Sequence, residues 1–393
     1  MKSKITTLNG NIIEIKHDAP TIQTYFEGWA DLKDFACEIE IAEGIKKIEE
    51  SAFEGFSNLK KVKLPDTLEY IGDFAFKECK KLKSVDVPWN VWYIGQYAFG
   101  SCSSLRKVNL NKTIITKIST GVFNHCEKLR SILLPEWLEI IGEYAFAFCY
   151  SLESIEISKS VFRIENQAFF DCTKLNDFNI PKCDYVGLMA FANTKYALNP
   201  NNYKNNLLIK DGVVLDGREF DKKELTLNEE RIVLSNGCFR ENSKLTYLNI
   251  NCEEVYIGDE SFAFSALEKV TIKSGKEGFV VFNQKAFANT YLKEVDVETS
   301  YLYIQEKAFF SVITLDKLKI KADELNLENF CLADKYIEEF EINNNISVTI
   351  REYAFFNTTV NTVMLKEVGR YEKLSIPDND FLEYVLTDLC TPK

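Results

Sequence analysis

The chain has 393 residues, and its composition of 46% hydrophobic and 27% charged residues is typical of a folded protein rather than a disordered one. With 47 Lys and Arg against 59 Asp and Glu, the net charge of −12 argues against a nucleic-acid partner, whose affinity rests on basic surface. No stretch approaches the ~18 apolar residues of a membrane span, and the first residues lack the apolar segment of a secretory signal.

Residues 1–38 are predicted to form an N-terminal cap made of a hairpin and a helix. Asn9-Gly10 favours a tight turn between strands over residues 4–8 and 11–15. Asp18 is a typical N-cap residue, and apolar side chains follow it at helical spacing. Those side chains are Ile22, Tyr25, Phe26, Trp29 and Leu32. We expect this amphipathic helix to cover the exposed core of the first repeat.

From about residue 39 the chain repeats itself with a period of about 23 residues, marked by one phenylalanine per unit. The series is Phe53, Phe76, Phe99, Phe123, Phe146, Phe169, Phe191, Phe239, Phe262, Phe287, Phe309, Phe330 and Phe355. The gap from Phe191 to Phe239 is 48 residues, or two periods, which indicates a degenerate unit. About fourteen stacked units are therefore predicted, and they form a solenoid rather than separate globular domains.

Each residue type in the repeat has a structural reason. One unit reads Leu59-x-x-Val62-x-Leu64-Pro65, Leu68-x-x-Ile71-Gly72, Ala75-Phe76-x-x-Cys79. The segment around Val62 predicts a short strand that pairs in parallel with its counterpart in the next unit. The glycine suggests a turn with positive φ, and the phenylalanine suggests a ring that stacks on the next unit inside the core.

The 11 cysteines do not indicate a metal centre or a disulfide framework. No Cys-x-x-Cys is present, and only His17 and His125 could complete a mixed site. Five cysteines recur with the repeat: Cys79, Cys102, Cys126, Cys149 and Cys172. This spacing predicts a ladder of small, buried, apolar residues, and it outweighs a catalytic Cys–His pair at the adjacent His125 and Cys126.

The repeat resembles the leucine-rich repeats of the BspA-like family, the treponemal type, over about residues 39–365. The resemblance implies units of about 23 residues, a parallel β-sheet on the concave face, mostly strand and turn, and short helical caps. It also implies roles in cell-surface adhesion, host-matrix binding or co-aggregation. Later units depart from the pattern, since the cysteine disappears after Cys172.

The repeats are predicted to form two segments, residues 39–194 and 229–365. Residues 195–228 between them are polar and contain Asp211-Gly212 and Asp216-Gly217, which suggests a hairpin-like insertion projecting from one unit. Residues 366–393 are assigned to a C-terminal cap with a short helix over 381–389. We treat both segments as parts of one solenoid.

The residues that flank the strands form the first candidate binding face, because a solenoid presents them on its concave surface. They include Lys61, Lys63 and Lys107. In later units the flanks alternate in sign, as at Lys317 and Lys319. One interpretation of that alternation is a self-neutralising, solvated face, in which opposite charges pair across the sheet. The other is a surface that binds a charged partner.

A second candidate is aromatic. Trp89, Trp92 and Trp137 fall in the loops that follow the strands of nearby units, and Tyr93 and Phe162 lie at comparable positions. An exposed aromatic strip marks a protein or glycan contact. Partial burial of these side chains against neighbouring repeats is the alternative.

The sequence contains no nucleophile elbow, P-loop, dinucleotide fingerprint or zinc-protease motif, so we predict no catalytic, cofactor or metal residues. The preferred hypothesis is a non-enzymatic interaction protein that binds a protein or glycan. The alternative is an intracellular structural scaffold. Family resemblance favours the cell surface or secretion, whereas the missing signal and the number of cysteines favour the cytoplasm. The oligomeric state is left open.

Overall fold

The computed structural model describes residues 1–23, 31–275, 277–343, 346–367 and 370–374. The chain divides into two compact units, Met1–Asn202 and Tyr203–Lys393. Each unit is a β-solenoid built from short strands and turns, as the repeat predicts. The one helical element among the described residues is a single 3₁₀ turn at Pro200–Asn202.

The strands of the first unit are short, and most turns of the solenoid contribute two. They are β1 (Lys2–Thr7), β2 (Ile12–Lys16), β3 (Thr21–Ile22), β4 (Ala36–Glu40), β5 (Lys47–Ile48), β6 (Lys61–Lys63), β7 (Tyr70–Ile71), β8 (Ser84–Asp86), β9 (Tyr93–Ile94), β10 (Lys107–Asn109), β11 (Lys117–Ile118), β12 (Ser131–Leu133), β13 (Ile140–Ile141), β14 (Ser154–Ile155), β15 (Arg163–Ile164), β16 (Asp177–Phe178) and β17 (Tyr185–Val186).

These strands lie in two columns rather than in the one sheet that the sequence predicts. The predicted strands form sheets with the orders β2-β1-β4-β6, β8-β10-β12 and β14-β16. A second, unforeseen strand per turn forms the parallel sheets β3-β5-β7-β9 and β11-β13-β15-β17. In the first column the central residue is buried and the flanks point outward, so that Val62 lies in the core between Lys61 and Lys63.

The hairpin of the N-terminal cap is present. Strands β1 and β2 pair antiparallel, and Gly10 in the turn has a φ of 81°. β1 also pairs antiparallel with β4, which joins the hairpin to the first column. The predicted helix is wrong at its start, because Ile22 lies in β3 and pairs in parallel with Ile48. Its positions at Tyr25, Phe26 and Trp29 lie outside the described residues, as does the predicted C-terminal helix over 381–389.

The core of the first unit is a continuous stack of phenylalanine rings. From Phe53 to Phe191 each ring stacks on the next, with centroids 5.0–5.8 Å apart and planes within 17° of parallel. Each aromatic pair adds about 0.5–1.5 kcal/mol beyond the burial of its area. The excess of phenylalanine in the composition therefore follows from the fold.

The glycines after the second strand have a different role from the predicted positive φ. None of Gly72, Gly95, Gly142 and Gly258 lies in the left-handed region. A Cβ on Gly72 would instead lie 2.6 Å from the backbone nitrogen of Glu50 in the preceding turn. The sequence pattern marked the right residues, but close approach of two backbones, not turn geometry, requires them.

The left-handed positions fall on other residues, immediately before the small residue and two residues after the ring. Tyr144 and Phe148 occupy them around Phe146, with φ values of 55° and 62°. Gly121 takes the first of these positions in its own unit, and Gly55 takes the second. A non-glycine residue in this region costs about 1–2 kcal/mol, so the repeat lattice imposes local strain at each turn.

The five periodic cysteines are all buried, and each thiol also makes a hydrogen bond. The Sγ of Cys102 donates to the carbonyl oxygen of Phe76 at 3.2 Å, and that of Cys126 donates to Phe99 at 3.3 Å. Burial raises the pKa of Cys102 to about 12. These thiols are therefore protonated donors that tie one turn to the preceding one.

The second unit has longer strands and two continuous sheets. Its strands are β18 (Tyr203–Lys204), β19 (Leu207–Lys210), β20 (Val213–Asp216), β21 (Glu224–Leu227), β22 (Arg231–Leu234), β23 (Tyr247–Asn251), β24 (Glu254–Ile257), β25 (Lys269–Lys273), β26 (Phe279–Phe282), β27 (Glu294–Glu298), β28 (Tyr301–Ile304), β29 (Thr314–Lys321), β30 (Glu324–Leu327), β31 (Tyr336–Asn343), β32 (Ser347–Ile350), β33 (Thr359–Glu367) and β34 (Arg370–Leu374). The even-numbered strands β20 to β32 follow β18 and β19 in one sheet, and the odd-numbered strands β21 to β33 precede β34 in the other.

The first of the two Asp-Gly pairs forms a hairpin turn. Asp211 and Gly212 both have positive φ and join β19 to β20, which pair antiparallel. β20 then pairs in parallel with β22, so this hairpin forms one edge of the sheet instead of projecting from it. The predicted domain boundaries at residues 195 and 228 stay a prediction.

Gly217, from the second Asp-Gly pair, occupies the ring position of the degenerate repeat. Its backbone N–H donates to Cys238 O, just as Phe239 N–H donates to Ser261 O one turn later. The missing ring is supplied by Phe220, three residues further on, which meets Phe239 edge-on at 6.4 Å. The core is thus filled from the position that holds cysteine in the first unit.

The structure also explains a second irregularity, the uneven spacing of the phenylalanines around Phe330. Leu332, not Phe330, holds the ring position of its turn, because Leu332 N–H donates to Ala354 O in the regular pattern and the side chain is fully buried. Phe330 has a positive φ and stacks on Tyr353 closer to the surface. Counting from Leu332 restores spacings of 23 residues on both sides.

In most turns of the second unit, a polar residue replaces cysteine three residues after the ring position, although Phe220 and Val312 hold it in two turns. Asn242 donates to the carbonyl oxygens of Gly217, Arg218 and Phe220, and Thr358 donates to Leu332 O at 2.6 Å. Lys335 occupies the same position and is only 5% exposed. Its ammonium group donates to Ala333 O at 2.6 Å.

Candidate binding surfaces

The predicted lysines lie on the outward face of the first strand column. Lys61, Lys63 and Lys107 are all exposed. Lys63 forms an ion pair with Glu40 on the neighbouring strand β4, with a distance of 2.6 Å between Nζ and Oε1. That hydrogen bond raises the pKa of Lys63. A surface pair of this kind contributes little to stability, and it already occupies one of the three predicted cations.

In the second unit the alternating charges pair across the sheet. Lys317 Nζ lies 2.7 Å from Glu339 Oε1, and Lys319 Nζ lies 3.4 Å from Asp296 Oδ2. Lys269 makes the equivalent pair with Glu294. The hydrogen bond to Glu339 raises the pKa of Lys317. These pairs support the interpretation of a self-neutralising face over a surface that reads charge on a partner.

The aromatic residues of the first unit are exposed, with one exception. Trp89 is 58% exposed, Trp92 54%, Trp137 67% and Phe162 43%. Tyr93 is half-buried, and burial near Asp73 raises its pKa to about 12. These fractions oppose the alternative of burial against neighbouring repeats.

The exposed aromatic residues do not form one contiguous strip. Trp92 contacts Tyr93 and Tyr70, with ring centroids 5.9 and 5.7 Å apart. Within the described part of the chain, no ring contact joins Trp89, Trp137 or Phe162 to this cluster. The sequence prediction placed all of them on one surface, but the structure brings together only the Trp92 group.

Trp137 instead borders a cleft of about 660 Å³. The cleft opens between two loops that follow successive first-column strands, Pro135–Trp137 after β12 and Glu156–Ser160 at β14. Asn111 of the preceding turn and Asn179 of the following turn complete it. Sequence reasoning identified the indole but did not place Asn111, Glu156 and Asn179 beside it, because they belong to three other repeats.

A group of exposed apolar residues in the second unit was also missed. Tyr291, Ile313 and Tyr336 occupy the same position in three consecutive turns, four residues after the ring position. They are 72%, 73% and 41% exposed. In the first unit most turns have a polar residue at that position, such as Ser57 and Lys80, and Tyr150 is the exception, so a comparison of units position by position would have found the run.

The described residues contain no group of three or more His, Cys, Asp or Glu side chains placed to hold a metal ion. The same part of the chain includes no helix long and apolar enough to cross a membrane.

Several solved bacterial structures are similar to this chain. A leucine-rich repeat protein from Bacteroides ovatus is 21% identical, with 92% of this chain and 90% of that chain covered and a TM-score of 0.45. A leucine rich cell surface protein from Faecalibacterium prausnitzii is also 21% identical, with coverages of 86% and 92% and a TM-score of 0.40. The pneumococcal vaccine antigen PcpA is 18% identical, with coverages of 99% and 88% and a TM-score of 0.29.

No curated protein matches the sequence significantly. The model of the BspA type leucine rich repeat region matches residues 35–116, 111–211, 220–280 and 276–375, which together make up most of the chain. These matched ranges contain the ring stack, the close-approach glycines and most of the paired strands of both units. The chain belongs to the BspA type leucine rich repeat family.

Proposed function

We propose that this protein is a non-enzymatic interaction scaffold whose exposed aromatic residues bind a protein or glycan partner. The observation that carries the proposal is the exposure of three indoles, each more than half accessible, within three turns of the first unit. Tryptophan is enriched at binding hot spots, and exposed aromatic surface marks contact sites. Phe162 and the half-buried Tyr93 extend this surface, and the cations of Lys61, Lys63 and Lys107 accompany it.

The repeat lattice supports such a role because it fixes these side chains on a rigid frame. The ring stack and the hydrogen bonds between successive turns hold each loop in place, so binding requires little ordering of the scaffold. Charged residues such as Lys317 and Lys319 form ion pairs across the sheet, as expected of a solvated scaffold surface, which supports a binding function over catalysis.

Family membership supports a location at the cell surface, with adhesion as the process. The alternative is an intracellular scaffold, which the nine buried thiols among the described residues favour because such thiols persist in reducing compartments. Cell fractionation with a free-thiol count separates the two. Recovery of the native protein only in the cytosol would contradict the adhesion role.

The test of the proposal is Trp92→Ala, measured on a panel of immobilised matrix proteins and glycans. Because the indole is exposed, we expect the melting temperature to stay nearly unchanged while binding to the recognised ligand weakens. Trp92→Phe is the matched control and should retain most of the binding. A large loss of stability in Trp92→Ala would show that the indole is a packing residue and would contradict the proposal.

A further inference from the structure

The cleft beside Trp137 combines an exposed indole with hydrogen-bonding groups from three successive turns. Glu136 adjoins the indole in one loop, and Glu156 lies at the facing loop. Asn111 reaches the cleft from the preceding turn. All three side chains are exposed, so their oxygen atoms are available to a ligand. A volume of about 660 Å³ lies within the range of ~300–1,000 Å³ that is usual for small-ligand sites.

The walls of the cleft are held in place before any ligand binds. Ser160 Oγ donates to Glu136 O and, at 2.8 Å, to Leu138 O, which ties the two loops together. On the other side, the Asn179 amide makes two hydrogen bonds of 2.8 Å to the backbone of Ile157, donating to its oxygen and accepting from its nitrogen. A preorganised cleft loses little conformational entropy on binding.

The chemistry of the cleft matches a carbohydrate. A sugar ring has an apolar C–H face, which suits a flat indole, and a rim of hydroxyl groups, which donate hydrogen bonds to carboxylates and amides. The carboxylates of Glu136 and Glu156 outnumber the one ammonium group, that of Lys159, so the local charge disfavours anionic sugars. A protein partner usually requires a broader patch of about 800 Å² with apolar anchors at its centre.

We propose that the cleft beside Trp137 binds a neutral oligosaccharide, with the indole as the stacking platform and Glu136, Glu156 and Asn111 accepting hydrogen bonds from sugar hydroxyls. The inference rests on the proposed function and names the ligand class and the site. It separates Trp137 from the Trp92 group, which lies outside the cleft.

The experiment applies the full-length protein to an array of neutral hexose, N-acetylhexosamine and fucosylated oligosaccharides, beside sialylated and sulfated ones. The wild-type protein should bind at least one neutral glycan. Trp137→Ala should weaken that binding by about thirtyfold or more, the size of a hot-spot loss. Tyr291→Ala is the control, because it removes an equally exposed aromatic side chain in the second unit. It should bind as the wild type does.

Glu156→Ala keeps the inference testable if Trp137→Ala fails to fold, since Glu156 is an exposed residue whose loss should also weaken binding. Binding to anionic glycans alone, or neutral-glycan binding that survives both substitutions, would overturn the assignment. A Trp92-dependent protein ligand without any bound glycan would overturn it and leave the proposed function standing. No binding to any protein or glycan would overturn both.

Discussion

Lys335 is a buried cation in the core of the second unit, and replacing it should stabilise the protein. It occupies the position that holds cysteine in the first unit and Val312 and Thr358 in the adjacent turns, so the fold does not require a charge there. Lys335→Met keeps the length of the side chain and removes the ammonium group. The substitution also leaves Ala333 O without the donor at 2.6 Å.

Burial lowers the pKa of Lys335 to about 8 from its ordinary 10.5. At neutral pH this shift costs roughly 3 kcal/mol of folding free energy, because each pKa unit corresponds to about 1.4 kcal/mol. Removing the ammonium group also leaves the buried oxygen of Ala333 without its charged donor, which offsets about 1.5–3 kcal/mol of that gain. We therefore expect Lys335→Met to raise the free energy of unfolding by up to about 1.5 kcal/mol near neutral pH.

The pH dependence gives the sharper test. Between about pH 8 and 10.5 the unfolded chain keeps the Lys335 proton while the folded chain has lost it. The penalty from this residue is therefore complete below about pH 8 and disappears as the pH rises through that window. Subtracting the Lys335→Met curve from the wild-type curve removes the contribution of the tyrosines that titrate in the same range.

Urea denaturation of both proteins near pH 7 and near pH 10 measures the effect. The advantage of Lys335→Met should fall by about 2–3 kcal/mol and reverse at the higher pH, where the lost hydrogen bond outweighs the small part of the penalty that remains below pH 10.5. Lys222→Met is the matched control, because it makes the same substitution at a lysine on the surface instead of in the core. A Lys335→Met variant that is less stable near pH 7, or a gap that does not change with pH, would refute the reasoning.

Four other predictions follow from the packing of the repeats. Gly142→Ala should destabilise the protein by about 2 kcal/mol or more in urea titration, since its Cβ would lie 2.6 Å from a backbone oxygen, and an unchanged midpoint contradicts this. Ser101→Gly should stabilise it by up to about 1 kcal/mol because φ is 59°, and a loss would place the strain elsewhere. Of the ten described cysteines, only Cys37 should react rapidly with a thiol reagent in the native state, as mass spectrometry can check. Replacing Lys317 and Lys319 with Glu should lower the free energy of unfolding by about 1 kcal/mol in the same titration and leave ligand binding unchanged. Loss of binding without loss of stability would instead support a surface that recognises charge on a partner.

Much of the architecture could be predicted from the sequence because the same residue pattern recurs in every repeat. Phe76 and Phe99 lie in equivalent surroundings, so a period of about 23 residues predicts one ring per turn, and the rings do stack at 5.3 Å. The same logic predicted buried cysteines and outward-facing lysines. It could not supply the second strand of each turn: Ile71 recurs with the repeat, but the two residues Tyr70 and Ile71 are too few to show the alternation that marks a strand.

The candidate site was only partly predictable. The indole of Trp137 stands out in the sequence, but Asn111, Glu156 and Asn179 reach the cleft from other turns, and their positions depend on how far each turn advances. The exposure of Trp92 and the half-burial of Tyr93 were likewise decided by their surroundings, since Tyr93 lies in β9 and stacks on Tyr70, whereas Trp92 precedes the strand.

The sequence alone determined the repeat, its period and its family, because a stacked lattice requires the same residue types at the same spacing in every turn. Only the tertiary structure showed in which turns a residue other than the expected phenylalanine fills the core. Leu332 replaces a ring while Phe330 turns outward, and Phe220 fills the space left at Gly217. The physical reason is that backbone hydrogen bonds between turns set the register, and whichever side chain then points inward must fill the core.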